Sequence, residues 1–432
     1  MNRFRYWAIG ALAVASACSD AHKPAGTLAS AAGAAGDADA ASSAGRGTDA
    51  AGAAPTAGGD AASGGAAANA GAAAGAGGEQ LGLAGATNGG ADAGPSRVDT
   101  PLELGFSVDA QAYARALAID AEDNVFIVGD GKNADSLGAW WLKKLDAKGQ
   151  EDTTHWNKEI VSNDSPSVLA TDASGDVFVS GTTTGGWWLK RFDALGVEET
   201  THWNKHIDAK FLTDAGLDLI GVSDAPQRMA VDSQGSVYLV GGARMPVKLD
   251  QPRDVWLVLK LGADGKLAWA RAFDGGHGWP GADWPYNASA HALAFDSQDN
   301  VYVVGEIKET GWWLKKLSSA GVDDTLGWNQ HFDLGQGAAA RSIAVDAQDH
   351  IYVRGSQRTY VNLQVADLPW PCRRFGVGGQ EDTGSKRDSG RAPGIAINEQ
   401  GELYLPSTTD QTDTLALEKL DAHGANLATL LI

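Results

Sequence analysis

One segment concentrates side chains of the kind that bind sugars or peptides. It runs from His277 to Tyr286 and holds two tryptophans, a tyrosine, a histidine and an aspartate. Its two prolines stiffen the chain, and a stiff aromatic loop provides contact area at low entropic cost. The candidate ligand-binding residues are His277, Trp279, Asp283, Trp284 and Tyr286, with Tyr360 and Trp370 from a later unit. The alternative is a loop that folds its tryptophans back onto the neighbouring sheet.

Other reactive residues occur in patterns with a structural explanation. Acid pairs recur at Glu151-Asp152, Glu198-Glu199, Asp323-Asp324 and Glu381-Asp382. Adjacent strand residues point to opposite faces, so a pair does not converge on one ion. Cys372 stands where an earlier unit has Leu142, which predicts a buried strand residue. These residues therefore predict no metal site and no reactive thiol.

Short catalytic motifs are absent from the sequence. There is no Gly-x-Ser-x-Gly elbow, no His-Glu-x-x-His and no phosphate-binding loop. On a strand, His202 and His206 would lie about 13 Å apart, too far to share a metal. We therefore expect no catalytic residues, no cofactor and a non-catalytic protein.

These residues sit within a unit that recurs six times. Its best-defined block is Asp120-Ala-Glu-Asp-Asn-Val-Phe-Ile-Val-Gly129. The blocks start at Asp120, Asp172, Asp232, Asp296, Asp346 and a degenerate Asn398, with spacings of 52, 60, 64, 50 and 52 positions. Repetition at this period is typical of propellers and solenoids.

Each unit reads as four short strands. Runs rich in Val, Tyr, Phe and Trp alternate with Asp, Asn and Gly turns, and no helical period intervenes. Four strands in about 50 residues make the blade of a β-propeller. The sequence thus predicts an all-β fold over 101–432, a β-propeller with six blades of four antiparallel strands. Both 102–108 and 426–431 are candidates for a closing strand, and one of them is surplus.

The third strand of three units begins with two tryptophans and continues with basic residues. Trp140-Trp-Leu-Lys-Lys-Leu145 is followed by close copies at Trp187 and Trp312. Because both faces of a blade meet other blades, we predict packing for these tryptophans, with lysine stems over the rings, rather than ligand binding. These blocks resemble the bacterial β-propeller repeats called SBBP repeats. That resemblance implies a propeller and carries no general enzymatic assignment.

The N-terminus resembles that of a bacterial lipoprotein. Arg3 and Arg5 precede an apolar stretch too short to span a membrane, and small residues lead to Cys18. We predict a signal peptide over 1–18 with Cys18 lipidated; the alternative is an ordinary cleaved signal. By resemblance, Ser19 after that cysteine favours the outer membrane of the bacterial cell envelope.

Between anchor and repeats, 19–100 is rich in Ala and Gly and has no aromatic residue. Such a stretch cannot offset its ordering entropy, so we predict a disordered tether. The formal net charge of the whole chain is −20, which argues against nucleic-acid binding.

Loops joining strands two and three, and one blade to the next, vary in length and include 208–227, 242–254, 274–290 and 356–369. We expect this end of the propeller to carry function. The expected role is non-catalytic binding of a polysaccharide or protein, with membrane attachment through Cys18. The alternatives are a propeller lyase or glycosidase acting on envelope polymers, or a structural self-assembling protein.

Overall fold

The computed structural model describes residues 113–431 except 133–137, 163, 247–251, 276–286, 309, 362–363, 369, 390–393, 399, 409–414 and 422. The predicted signal peptide, the tether and the candidate strand at 102–108 lie outside this part. No helix within it has the length and apolar character needed to cross a membrane.

The described chain forms six antiparallel sheets of four or five strands, in which nearly every strand pairs with its sequence neighbour. The first sheet contains β1 (Tyr113–Ile119), β2 (Val125–Lys132), β3 (Gly138–Leu145) and β4 (Lys158–Val161). The second contains β5 (Ser165–Thr171), β6 (Val177–Thr183), β7 (Gly186–Phe192), β8 (Glu198–Glu199) and β9 (Lys205–Ile207). The third contains β10 (Gly221–Val222), β11 (Arg228–Val231), β12 (Val237–Met245), β13 (Arg253–Leu261) and β14 (Leu267–Phe273).

The remaining sheets repeat this order. The fourth contains β15 (Ala288–Phe295), β16 (Val301–Ile307), β17 (Gly311–Leu317) and β18 (Gln330–Asp333). The fifth contains β19 (Ala340–Val345), β20 (Ile351–Gly355), β23 (Trp370–Phe375) and β24 (Glu381–Ser389), and β21 (Gln357–Val361) and β22 (Gln364–Leu368) form a separate hairpin. The sixth contains β25 (Ala396–Ile397), β26 (Leu403–Thr408), β27 (Leu415–Leu420) and β28 (Asn426–Leu431). The prediction of an all-β fold built from four-stranded antiparallel units is confirmed.

In each sheet we call the strand that directly precedes the repeated block the first strand, which is β11 in the third sheet. The first strands of consecutive sheets lie next to one another. Contacts join β1 to β5, β5 to β11, β11 to β15, β15 to β19 and β19 to β25. The sheets therefore stand side by side in chain order, with their first strands along a common edge. We call these six strands the first-strand row.

The repeated aspartate of each block organises the turn after the first strand. Asp120 Oδ1 accepts the backbone N–H of Glu122 and of Asn124, and Asp296 does the same for its own turn. The third residue after that aspartate has a positive φ, as at Asp123 and Gly175. This is why Gly or Asp recurs there, since both tolerate left-handed backbone.

The paired tryptophans pack in the interior. Trp140, Trp187 and Trp312 are at most 1% exposed, and their sequence neighbours are also buried. The indole N–H of Trp256 donates to Glu306 O at 3.2 Å, and that of Trp312 to Ser356 O at 2.7 Å, so each holds the next sheet. The predicted lysine contacts differ in detail: most basic groups cover second-strand rings, as Lys316 covers Tyr302 at 4.8 Å.

Three local predictions differ from the structure. The fourth strand of the first sheet, which the sequence predicts around 155–160, begins at Lys158, because His155 and Trp156 lie in the preceding turn. Much of the predicted long loop 356–369 is the hairpin of β21 and β22. The predicted loop 208–227 contains helix α1 (Ala209–Asp214), whose N-terminal backbone is capped by Asp208.

Candidate functional site

The structure places the predicted ligand-binding residues in different parts of the chain. His277, Trp279, Asp283, Trp284 and Tyr286 lie outside the described residues. Tyr360 lies in β21 of the separate hairpin. Trp370 is the first residue of β23, is half-buried and pairs with Ser389.

The acid pairs make structural contacts within the sheets. The first acid of each pair forms an ion pair with a third-strand basic residue, as Glu151 does with Lys143 at 2.5 Å and Asp323 with Lys315 at 2.7 Å. The second acid of three pairs caps backbone N–H groups in the following turn, as Asp152 does for Thr154 and His155. These carboxylates are therefore engaged in structural contacts.

Cys372 is buried at 3% exposure in β23, as its alignment with Leu142 predicts. Burial raises the pKa of its thiol to about 11. A buried thiol with a raised pKa is a poor nucleophile.

A different set of polar residues marks a site along the first-strand row. The register of the first strand shifts by one residue at the same place in four sheets, and the shifted residues are Arg115, Ser167, His291 and Arg341. A β-bulge leaves one residue unpaired and re-aims its side chain, and bulges are frequent beside active sites. Each bulge lies near the start of its strand, which is the end of the sheets where we expected function.

The bulges of the fourth and fifth sheets bring three polar groups together. An Arg341 guanidinium N–H donates to His291 Nδ1 at 3.4 Å, which leaves the imidazole proton on Nε2. That nitrogen lies 3.8 Å from Glu306 Oε1 at the end of β16. The side chains of His291 and Glu306 are only 8% and 10% exposed. We call His291, Glu306 and Arg341 the axial cluster.

The protonation states of the axial cluster follow from its burial and charges. Burial lowers the pKa of His291, Arg341 lowers it further, and Glu306 and Asp224 act in the opposite direction without outweighing them. Burial raises the pKa of Glu306, but His291, Arg341 and Lys308 together bring it below the ordinary value. At neutral pH the cluster therefore holds a neutral imidazole between a carboxylate and a guanidinium.

His291 Nε2 makes no hydrogen bond within the described part of the protein, although it is buried. Buried polar atoms are normally paired, and exceptions occur where ligands or water bind. Because Nδ1 accepts the Arg341 N–H, its lone pair can take a proton only when that guanidinium turns to another acceptor, such as an anionic ligand.

A second polar group occupies the equivalent place in the first sheet. Arg115 Nε and Nη2 donate to the two oxygens of Asp130, at 2.7 and 3.0 Å. Ser165 Oγ donates to the same carboxylate at 2.8 Å. Asp130 and Glu306 both stand ten positions after their block's first residue, so these carboxylates are equivalent in the repeat.

In the four sheets that have a bulge, the repeated glycine of the block is required by that bulge. Gly305 pairs with Ala290, the residue before the His291 bulge. A β-carbon at Gly305 would overlap the carbonyl oxygen of Ser289, and Gly129, Gly181 and Gly355 meet the same obstacle. The glycine thus allows β16 to approach a bulged strand and places Glu306 next to His291.

The sequence contained a signal for the axial cluster that motif searching missed. The position five residues before each of the first five blocks holds a polar residue in an otherwise apolar strand: Arg115, Ser167, Gln227, His291 and Arg341. Aligning the units on their apolar residues hides this column. No group of three or more His, Cys, Asp or Glu suited to a metal ion occurs in the described ranges.

No family model and no curated protein matches this sequence. Solved structures with a similar arrangement include the periplasmic gluconolactonase PpgL of Pseudomonas aeruginosa, at 14% identity and a TM-score of 0.46, covering 77% of this chain and 88% of that one. The polysaccharide lyase Uly1 is 11% identical with a TM-score of 0.43, covering 78% and 86%. Arabinanase Arb43A of Bacillus subtilis is 14% identical with a TM-score of 0.33, covering 62% and 91%.

These comparisons correct the expectation of a non-catalytic protein. The chains that share its sheet arrangement in the comparisons above are enzymes. The expectation depended on the absence of short catalytic motifs, and such motifs fail to describe a site whose residues come from several sheets.

Proposed function

We propose that this chain is an enzyme of the bacterial cell envelope that acts on a carbohydrate polymer. The observation that carries the proposal is the axial cluster, a buried neutral imidazole held between a carboxylate and a guanidinium. His291 acts as the base, Glu306 orients it, and Arg341 holds an anionic group of the substrate.

The proposed scaffold is a six-bladed β-propeller in which each of the six sheets is one blade. The six repeated blocks, their resemblance to SBBP repeats and the contacts along the first-strand row support it. In such a ring the first strands surround the axis, so the bulge residues face a central channel. Arg115 and Asp130 would then lie across the channel from the axial cluster.

The aromatic segment supports a carbohydrate substrate. The chain from Phe273 to Ala288 joins β14 to β15, and it leads directly into the strand that carries His291. Its two tryptophans and one tyrosine offer the apolar faces that line ligand sites.

The proposed location is the outer membrane, with lipidated Cys18 as the anchor and 19–100 as the tether. The charged N-terminus, the small residues before Cys18 and the Ala/Gly composition support it. A flexible coil of this length spans roughly 50 Å on average, enough for the catalytic head to reach polymers near the membrane.

Depolymerisation assays test the proposal. The purified chain is incubated with a panel of neutral and acidic polysaccharides, and new chain ends and product size are measured. We expect cleavage of at least one polymer and a loss of roughly 100-fold or more in His291→Gln. The matched control is His202→Gln, which changes a histidine that is 61% exposed in a turn. Equal rates for both variants, or no cleavage of any polymer, would refute the proposal.

A further inference from the structure

In the part of the chain that the structure describes, no carboxylate pairs with the guanidinium of the axial cluster. Arg341 contacts His291 Nδ1, and within the described part of the chain no acidic side chain lies at ion-pair distance from it. Burial lowers the pKa of Arg341, and the positive charge of nearby Arg358 lowers it further. The negative charge of Glu306 raises it. A half-buried arginine beside another positive charge is stabilised when an anion binds.

The position of this anion site next to a base restricts the ligand. A guanidinium binds a carboxylate through two parallel hydrogen bonds. Because a nitrogen of Arg341 lies 3.4 Å from His291 Nδ1, a carboxylate that takes over this N–H lies next to the imidazole, so we place the carbon that bears it beside Nδ1. The hydrogen on that carbon is the acidic one, since neutralising the carboxylate stabilises the carbanion left behind.

We infer that the substrate is a uronate-containing polysaccharide and that the chain cleaves it by β-elimination. This inference rests on the proposed function and specifies it. In a polymer of linked uronates, the carbon next to the carboxylate carries a hydrogen, and the neighbouring carbon carries the glycosidic oxygen. Arg341 binds the carboxylate, and His291 removes the hydrogen on the carbon next to it.

The bond changes balance without water or a redox partner. When Arg341 turns its N–H groups from His291 Nδ1 to the substrate carboxylate, the lone pair of Nδ1 becomes free. Nδ1 then takes the hydrogen next to the carboxylate as a proton, and the electron pair of that carbon–hydrogen bond forms a carbon–carbon double bond. The bond from the neighbouring carbon to the glycosidic oxygen breaks, and the oxygen leaves with its electrons. The imidazolium returns its proton to that oxygen, which becomes a hydroxyl on the released chain.

Glu306 is a positioning residue in this reaction. Its carboxylate lies 3.8 Å from Nε2, so its negative charge stabilises the imidazolium that forms when Nδ1 takes a proton. It also raises the pKa of His291, as does Asp224, whereas burial and Arg341 lower it. Glu306→Gln is therefore expected to slow the reaction and to move the acid limb of its pH profile to lower pH, which a purely structural defect would not do.

The test compares polygalacturonate, alginate and hyaluronan with a carboxyl-reduced polygalacturonate that keeps the backbone and loses the charge. The reaction runs in heavy-oxygen water, and ultraviolet absorbance reports a double bond conjugated to the carboxylate. We expect absorbance to rise with at least one uronate polymer, no heavy oxygen in the new ends, and no reaction with the reduced polymer. Arg341→Gln should lose roughly 100- to 1,000-fold in rate.

Arg341→Lys serves as a second variant if the glutamine protein folds poorly, and it should keep part of the rate because it keeps the charge without the fork. New ends that carry heavy oxygen without absorbance would overturn the elimination and leave the proposed enzyme standing as a hydrolase. Cleavage confined to neutral polymers would overturn the uronate assignment alone. Absence of cleavage with every polymer would overturn both.

Discussion

His291 titrates under charges that come from three different segments. Glu306 and Asp224 favour its protonated form, whereas burial and Arg341 favour the neutral form and prevail, and Arg358 adds positive charge beside Arg341. The pKa of His291 therefore lies below its ordinary value of 6.5. Since an unfolded chain binds this proton more tightly, the contribution of His291 to stability is present above that value and is lost as pH falls.

Two substitutions should move this pKa in opposite directions. Glu306→Gln removes a negative charge and lowers the pKa of His291, and Arg341→Gln removes a positive charge and raises it. NMR titration of the imidazole protons measures both shifts, with His291→Gln identifying the resonance among the nine histidines. Shifts of the same sign would contradict the geometry of the axial cluster.

At the scale of the strands, the bulge and the glycine opposite it act as one unit. Gly305→Ala places a β-carbon against Ser289 O and Trp256, so β16 must move away from β15. We expect a loss of about 2–4 kcal/mol in the free energy of unfolding, together with weaker activity because Glu306 moves. Urea denaturation measures the first effect.

Gly376→Ala is the matched control for this glycine. It lies in a turn, and its added β-carbon would be 3.9 Å from the nearest atom, Gln380 O. We expect a change within about 0.5 kcal/mol. Equal destabilisation by both substitutions would show that the bulge places no special demand on Gly305.

Neighbouring sheets are also joined by a serine–aspartate contact between turns. Ser297 donates through its backbone N–H and its hydroxyl to Asp349, at 2.8 and 2.7 Å, and Ser233 makes the same contact with Asp299. The second and third sheets have Ala173 and Gly235 in these places. The repeat thus places either a hydrogen-bonded Ser–Asp pair or a small Ala–Gly pair between the turns of neighbouring sheets.

A double-mutant cycle with Ser297→Ala and Asp349→Gly tests this exchange. Glycine tolerates the φ of 59° at Asp349, so backbone strain is not added. Each single change should cost about 1 kcal/mol, and the double variant little more than either, since both remove the same hydrogen bonds. Additive losses in thermal or urea unfolding would mean that the two residues act independently.

Much of the fold was predictable because it depends on local patterns. The aspartate turn, the apolar Val-Phe-Ile-Val run and the Trp-Trp-Leu-Lys-Lys strand each define one element within a few residues, and the sheets contain them in that order. The start of β4 at Lys158 was not predictable, because Trp156 is apolar yet is buried from a turn. Strand ends depend on such tertiary packing.

For the whole molecule, the site is an assembly of residues that are far apart in sequence. His291 and Arg341 are 50 positions apart and meet because β15 lies beside β19. Within its own unit, each of these is a single polar residue in a strand, and one such residue does not predict a site. Only the placement of equivalent positions side by side turns one column of the repeat into a site.

Attachment of the molecule to a membrane is the property that tests the proposed arrangement of anchor, tether and head. Cys18→Ala should move the protein from the membrane fraction to the soluble fraction, because a lipid on that residue is its proposed anchor. Polymer cleavage by the released protein should be unchanged, since the axial cluster lies in the sheets.

Cys372→Ala is the matched control: this cysteine is buried in β23, so the variant should stay with the membrane. Fractionation followed by immunoblotting measures both. Membrane retention of Cys18→Ala at the wild-type level would rule out Cys18 as the anchor, whereas release with loss of cleavage would mean that the head depends on its tether.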